Sequence, residues 1–74
     1  MNEIKELFAK IERDDITPQM NNLVSDGVID SLDIMALVTE IEKIYKKPLR
    51  AEFIEAENFE SFESIKKMIE KAMA

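Results

Sequence analysis

Apolar residues recur at helical spacing in three separate stretches of this 74-residue chain, and one long interval between the first two breaks the pattern. Ile4, Leu7, Phe8 and Ile11 follow i, i+3, i+4, i+7, which predicts a first helix over about residues 3–13 with Asn2 as its N-cap. Ile34, Leu37, Val38, Ile41, Ile44 and Tyr45 form a second buried stripe and predict a helix from about Ser31 to Tyr45. Phe62, Ile65, Met68, Ile69 and Ala72 form the third, over about residues 61–73, with Ser61 as N-cap. One glycine and two prolines are too few for a many-stranded sheet with tight turns. The expected fold is all-α: a small bundle of three to four helices in a single domain, residues 1–74, with a long loop between helices one and two.

That loop, Asp14 to Asp30, holds Thr17-Pro18, Asn21-Asn22 and Asp26-Gly27, all turn or breaker signals. Loops beyond about 12–15 residues are uncommon in small domains and tend to be functional or disordered. Ile16, Met20, Leu23, Val28 and Ile29 within it predict an ordered loop pinned to the core. At the far end of the second helix, Lys46 and Lys47 suit the negative end of the dipole and Pro48 stops the helix. Residues 49–60 read as irregular, with one helical turn near Phe53–Glu57.

The composition excludes several kinds of chemistry. There is no cysteine, hence no disulfide framework or thiolate metal site, and no histidine, the commonest general base. No apolar run approaches the roughly 18 residues of a membrane span, and the N-terminal residues do not resemble a signal peptide. The expectation is a cytoplasmic monomer with no metal site of its own. Sixteen acidic residues against ten basic ones give a net charge of −6. This argues against nucleic-acid binding, which needs a basic footprint, and suits encounter with basic patches on partner proteins.

Where the long loop meets the second helix the chain reads Gly27-Val28-Ile29-Asp30-Ser31-Leu32-Asp33. Asp30 is a favourable N-cap, and Asp33 at N3 makes a capping-box-like pair with it. The first N–H groups of a helix lack intrahelical partners and sit at the positive end of its dipole, so an anion on Ser31 would be tolerated there. Ser31 is not expected to be a catalytic nucleophile. A serine needs an adjacent base, and an aspartate is too weak to deprotonate a hydroxyl efficiently. No residue reads as catalytic, and Ser31 reads as the substrate of another enzyme. A calcium loop at Asp26–Asp33 fails on spacing, because Gly27 directly follows Asp26.

The stretch resembles the attachment site of acyl carrier proteins. So do Leu37-Val38, Ile41-Glu42-Lys43-Ile44-Tyr45 and Glu57-Asn58-Phe59-Glu60-Ser61 leading into Ile65, so that the resemblance covers nearly the whole chain. It implies an acyl-carrier-like bundle in which Ser31 receives 4′-phosphopantetheine from coenzyme A. A phosphopantetheinyl transferase would perform the transfer, with Asp30 helping to hold its Mg²⁺. The arm's thiol would then carry acyl or aminoacyl groups as thioesters between partner enzymes of fatty-acid or specialised biosynthesis.

Leu32 and Met35, beside Ser31, are the expected apolar docking patch, rimmed by Asp33, Glu40 and Glu42, for loading and acyl-transferring enzymes with basic docking patches. Ser25, Ser61 and Ser64 read as turn, cap and surface residues. Leu37, Ile41, Phe59, Ile65 and Ile69 are candidates to line an acyl-chain pocket, with plain core the simpler reading. Ala36 and Thr39 stand where fatty-acid carriers usually show an acidic and a bulky apolar residue, and Lys43 where many are acidic. The approach Gly27-Val28-Ile29-Asp30 looks more like carriers of dedicated pathways, D-alanyl and other aminoacyl carriers among them. An unmodified helical interaction module is the alternative from another class.

Overall fold

The computed structural model describes residues 2–73, which form three α-helices: α1, Asn2–Lys10; α2, Ser31–Tyr45; and α3, Phe62–Ala72. Two short 3-10 helices, Ala51–Phe53 and Ala56–Phe59, fill the connection from α2 to α3. The second and third helices therefore lie where their apolar periodicity places them. The single turn expected near Phe53–Glu57 is instead two, one on each side of Ile54-Glu55.

Helix α1 is shorter than its apolar stripe. The N–H of Glu12 donates to the Ala9 carbonyl at 3.0 Å and that of Arg13 to the Phe8 carbonyl at 2.8 Å. Glu12 itself is left-handed, at φ 62°. This is a Schellman closure, which occupies the Phe8 and Ala9 carbonyls and turns the chain away. It ends the helix at Lys10 rather than at residue 13 and leaves Ile11 half-buried. Asn2 is the first residue of α1 rather than a residue preceding it; its side chain lies outside the described residues.

α1 and α2 run antiparallel. At one end the Tyr45 hydroxyl lies 3.3 Å from the Glu3 carboxylate; at the other, Arg13 meets Asp33 in the first turn of α2. Ile4, Leu7 and Phe8 of α1 pack with Leu37, Val38 and Ile41 of α2 and with Phe62, Ile65, Met68 and Ile69 of α3 in one core. At its centre Phe8 and Phe62 are stacked, centroids 5.4 Å apart and ring planes 11° from parallel. The stripe of α2 does not stay buried to its end: Ile44 is 44% and Tyr45 37% exposed. The last turn of α2 lies beside the first turn of α1, where the Tyr45 hydroxyl reaches Glu3.

The long loop is ordered by the core, as its apolar residues predict. Ile16, Leu23 and Ile29 are buried, and Met20 and Val28 pack against them. The Leu23 N–H donates to the Glu60 carbonyl at 2.9 Å and the Ile29 N–H to the Leu23 carbonyl at 3.0 Å. Two left-handed residues, Asn22 at φ 55° and Gly27 at φ 72°, turn the chain between these anchors. The radius of gyration, 11.0 Å, is close to the ~11 Å expected for a compact chain of this length, so the loop lies against the body. No helix among the described residues is long and apolar enough to cross a membrane.

Candidate functional site

The N-terminus of α2 is built by its own first residues. Asp30 is extended at φ −118°, ψ −172°, and its carboxylate accepts the Asp33 N–H at 3.0 Å. The Asp33 carboxylate returns the contact, accepting the Asp30 N–H at 3.2 Å, so the capping box is closed. The Ile34 N–H begins the helical ladder on the Asp30 carbonyl at 3.0 Å. Ser31 is the first residue of α2, with its side chain exposed. Helix geometry leaves the Ser31 and Leu32 N–H groups without intrahelical acceptors. A hydroxyl on this rigid end is open to an approaching enzyme, and a phosphodiester there would meet the positive end of the dipole.

The approach to Ser31 is held from behind by Arg13, which the apolar patterns do not single out. Its Nη2 donates to the Val28 carbonyl at 2.7 Å and its Nη1 to Asp33 Oδ2 at 2.8 Å. Nε and Nη2 also reach the two carboxylate oxygens of Asp15, at 3.1 and 3.2 Å. Asp15, foremost through its hydrogen bond, raises the pKa of the guanidinium, which in turn lowers that of the Asp15 carboxyl. The Arg13–Asp33 contact is partly buried, each side chain 24% exposed. A second latch comes from Glu60, whose carboxylate accepts the N–H groups of Val24 and Ser25 at 2.8 and 3.0 Å and the Ser25 hydroxyl. Ser25, read as a turn residue, is thus also a donor to this latch, while Ser61 caps α3 by accepting the Ser64 N–H at 3.1 Å.

The residues expected to form a docking patch divide into two groups. Leu32 is 78% exposed and Met35 52%, an uncovered apolar step one turn long beside Ser31. The acidic rim is more occupied. Asp33 is engaged by Arg13 and by the capping box. Glu42 accepts the Leu49 N–H at 2.7 Å and so holds the chain after α2. Glu40 is largely covered and lies 3.3 Å from the exposed ammonium of Lys43. Asp30 is the exposed carboxylate next to Ser31. Leu37, Ile41, Phe59, Ile65 and Ile69 are all buried core residues. An open cavity of about 390 Å³ lies on other residues, between the 3-10 helices and α3, with Phe53 and Met68 among its lining and Lys67 and Lys71 at its wall.

Among the described residues no group of three or more acidic, cysteine or histidine side chains converges as a metal site would require. This end of α2 presents an exposed hydroxyl, amides without intrahelical acceptors and the exposed Asp30 carboxylate beside them. No protein-family model matches the chain, and no curated protein or solved structure shows significant similarity to it.

Proposed function

We propose that this protein is a carrier whose Ser31 is esterified with 4′-phosphopantetheine and whose arm presents acyl or aminoacyl thioesters to partner enzymes. The observation that carries this reading is the placement of Ser31: an exposed hydroxyl on the first residue of a capped helix, next to the uncovered Leu32–Met35 step. In the transfer, Ser31 Oγ attacks the pantetheine-linked phosphorus of the coenzyme A pyrophosphate. A new P–O bond forms as the bond to the second phosphate breaks; adenosine 3′,5′-bisphosphate departs, and the serine proton passes to a base of the transferase. Asp30, exposed beside Ser31, would help to hold the Mg²⁺ that accompanies the pyrophosphate.

The chain brings no catalytic group of its own to the cargo in this reading. Tethering raises the effective concentration of the thioester at each partner's active site. Ala36, Thr39 and Lys43 depart from the fatty-acid carrier pattern, and these departures favour a dedicated pathway, with a D-alanyl or other aminoacyl cargo as the leading alternative to an acyl one. The test is incubation with coenzyme A, Mg²⁺ and a broad-specificity phosphopantetheinyl transferase, followed by fragmentation of the peptide containing Ser31. Phosphopantetheine on Ser31 is the expected result. An unmodified peptide, with a control carrier modified in the same tube, would favour a plain helical interaction module.

A further inference from the structure

An anionic group arriving at Ser31 faces two neighbouring aspartates, and the structure treats them differently. Asp30 is exposed. Asp33, two residues beyond Ser31, is in contact with the guanidinium of Arg13 at 2.8 Å in a partly buried setting. A carboxylate left free there would repel a phosphate, the more strongly the closer the two lie. The same guanidinium holds the Val28 carbonyl at 2.7 Å, and Asp33 Oδ2 also accepts the Asp30 N–H at 3.2 Å. Arg13 thus grips the backbone on the approach to Ser31 and, through Asp33, the cap that follows it. It is placed for this by the Schellman turn at Glu12, which ends α1 and aims residue 13 at the start of α2.

From this geometry we infer that Arg13 is a positioning residue for modification at Ser31, offsetting part of the charge of Asp33, which shares the guanidinium with Asp15, and fixing the Val28–Asp33 segment so that the hydroxyl meets the pyrophosphate against a weakened opposing charge. The inference rests on the reading of Ser31 as a phosphopantetheine acceptor. Arg13 touches no reacting atom; it acts through Asp33 and the Val28 carbonyl.

The experiment compares initial rates of transferase-catalysed modification for wild type, Arg13→Gln, Arg13→Lys, Asp33→Asn and the double variant Arg13→Gln/Asp33→Asn, each shown to be folded by circular dichroism. Arg13→Gln should lower kcat/KM about two- to fivefold, the span of one unscreened charge at about 4–8 Å, and the deficit should shrink at high salt. Arg13→Lys should keep most of the rate. The decisive arm is the double variant. The amide oxygen that Asp33→Asn leaves in place can still accept the Asp30 N–H, and removing the charge should restore part of the rate lost in Arg13→Gln, the grip on the Val28 carbonyl being still absent. A purely structural role would leave the double variant as slow as Arg13→Gln or slower, and that result overturns the inference. So does Arg13→Gln modified at the wild-type rate. Wild-type protein left unmodified, with a control carrier modified, overturns the functional reading and this inference with it.

Discussion

Glu60 closes on Ser25 across 35 residues of sequence, its carboxylate accepting both the backbone N–H at 3.0 Å and the side-chain hydroxyl. With the Val24 N–H at 2.8 Å, this ties the middle of the long loop to the segment that leads into α3. The loop is what delivers Gly27–Asp30 to the start of α2, so the latch bears indirectly on the presentation of Ser31.

The Ser25 hydroxyl, followed by the Ser25 and Val24 N–H groups, lowers the pKa of Glu60 below the ordinary value of 4.5. A carboxyl whose folded pKa is depressed binds fewer protons folded than unfolded in the interval between the two values, so stability rises with pH there. The contribution is complete above the ordinary value and is lost as pH falls through the folded one. Thermal melts of wild type and Glu60→Gln should therefore differ most near neutral pH and converge in acid, as pH falls below the ordinary value and through the folded one. A gap that stays constant into acid would show that the Glu60 charge is not involved.

Glu12 adopts a left-handed conformation that costs an ordinary side chain about 1 kcal/mol and glycine little. Glu12→Gly should stabilise the protein by about 0.5–1 kcal/mol, raising Tm by about 2–8 °C. A lower Tm would mean that the Schellman turn is not what ends α1.

Ser31 and Phe62 should separate modification from folding. Asp30 caps α2 with or without the Ser31 hydroxyl, so Ser31→Ala should melt within about 0.5 kcal/mol of wild type. Phe62→Ala removes a buried ring stacked on Phe8 and should cost about 3–5 kcal/mol, a large part of a small domain's stability. Chemical denaturation of the two variants in parallel reads both.

Leu32 is the most exposed of the large apolar side chains among the described residues. Leu32→Ala should leave the denaturation midpoint nearly unchanged and raise the KM of the transferase for the protein, since the lost surface is external. An unchanged KM would remove Leu32 from the docking patch.

The parts of this structure legible in the sequence are local ones. Asp30 with Asp33 and Ser61 with Ser64 are caps closed within three residues, so their geometry follows from residue type and spacing. The core positions Leu37, Val38, Ile41, Ile65 and Met68 follow from helical periodicity for the same reason. What escaped is mostly long-range or conformationally unusual. Arg13 pairs with Asp33 over 20 residues and Glu60 with Val24 over 36, and in a chain with sixteen acidic residues nothing in the sequence marks which carboxylate an arginine will choose. The end of α1 was concealed because a glutamate, not a glycine or asparagine, occupies the left-handed position. Ile44 and Tyr45 fit the apolar period, but periodicity carries no information on how far neighbouring helices extend.

Whether Ser31 accepts phosphopantetheine is read directly by intact mass. Wild type and Ser31→Ala are each incubated with coenzyme A, Mg²⁺ and a broad-specificity phosphopantetheinyl transferase, with a control carrier in the same tube. Wild type should gain one phosphopantetheine and Ser31→Ala none. No gain by folded wild type while the control is modified, or an equal gain by both proteins, would contradict modification at Ser31.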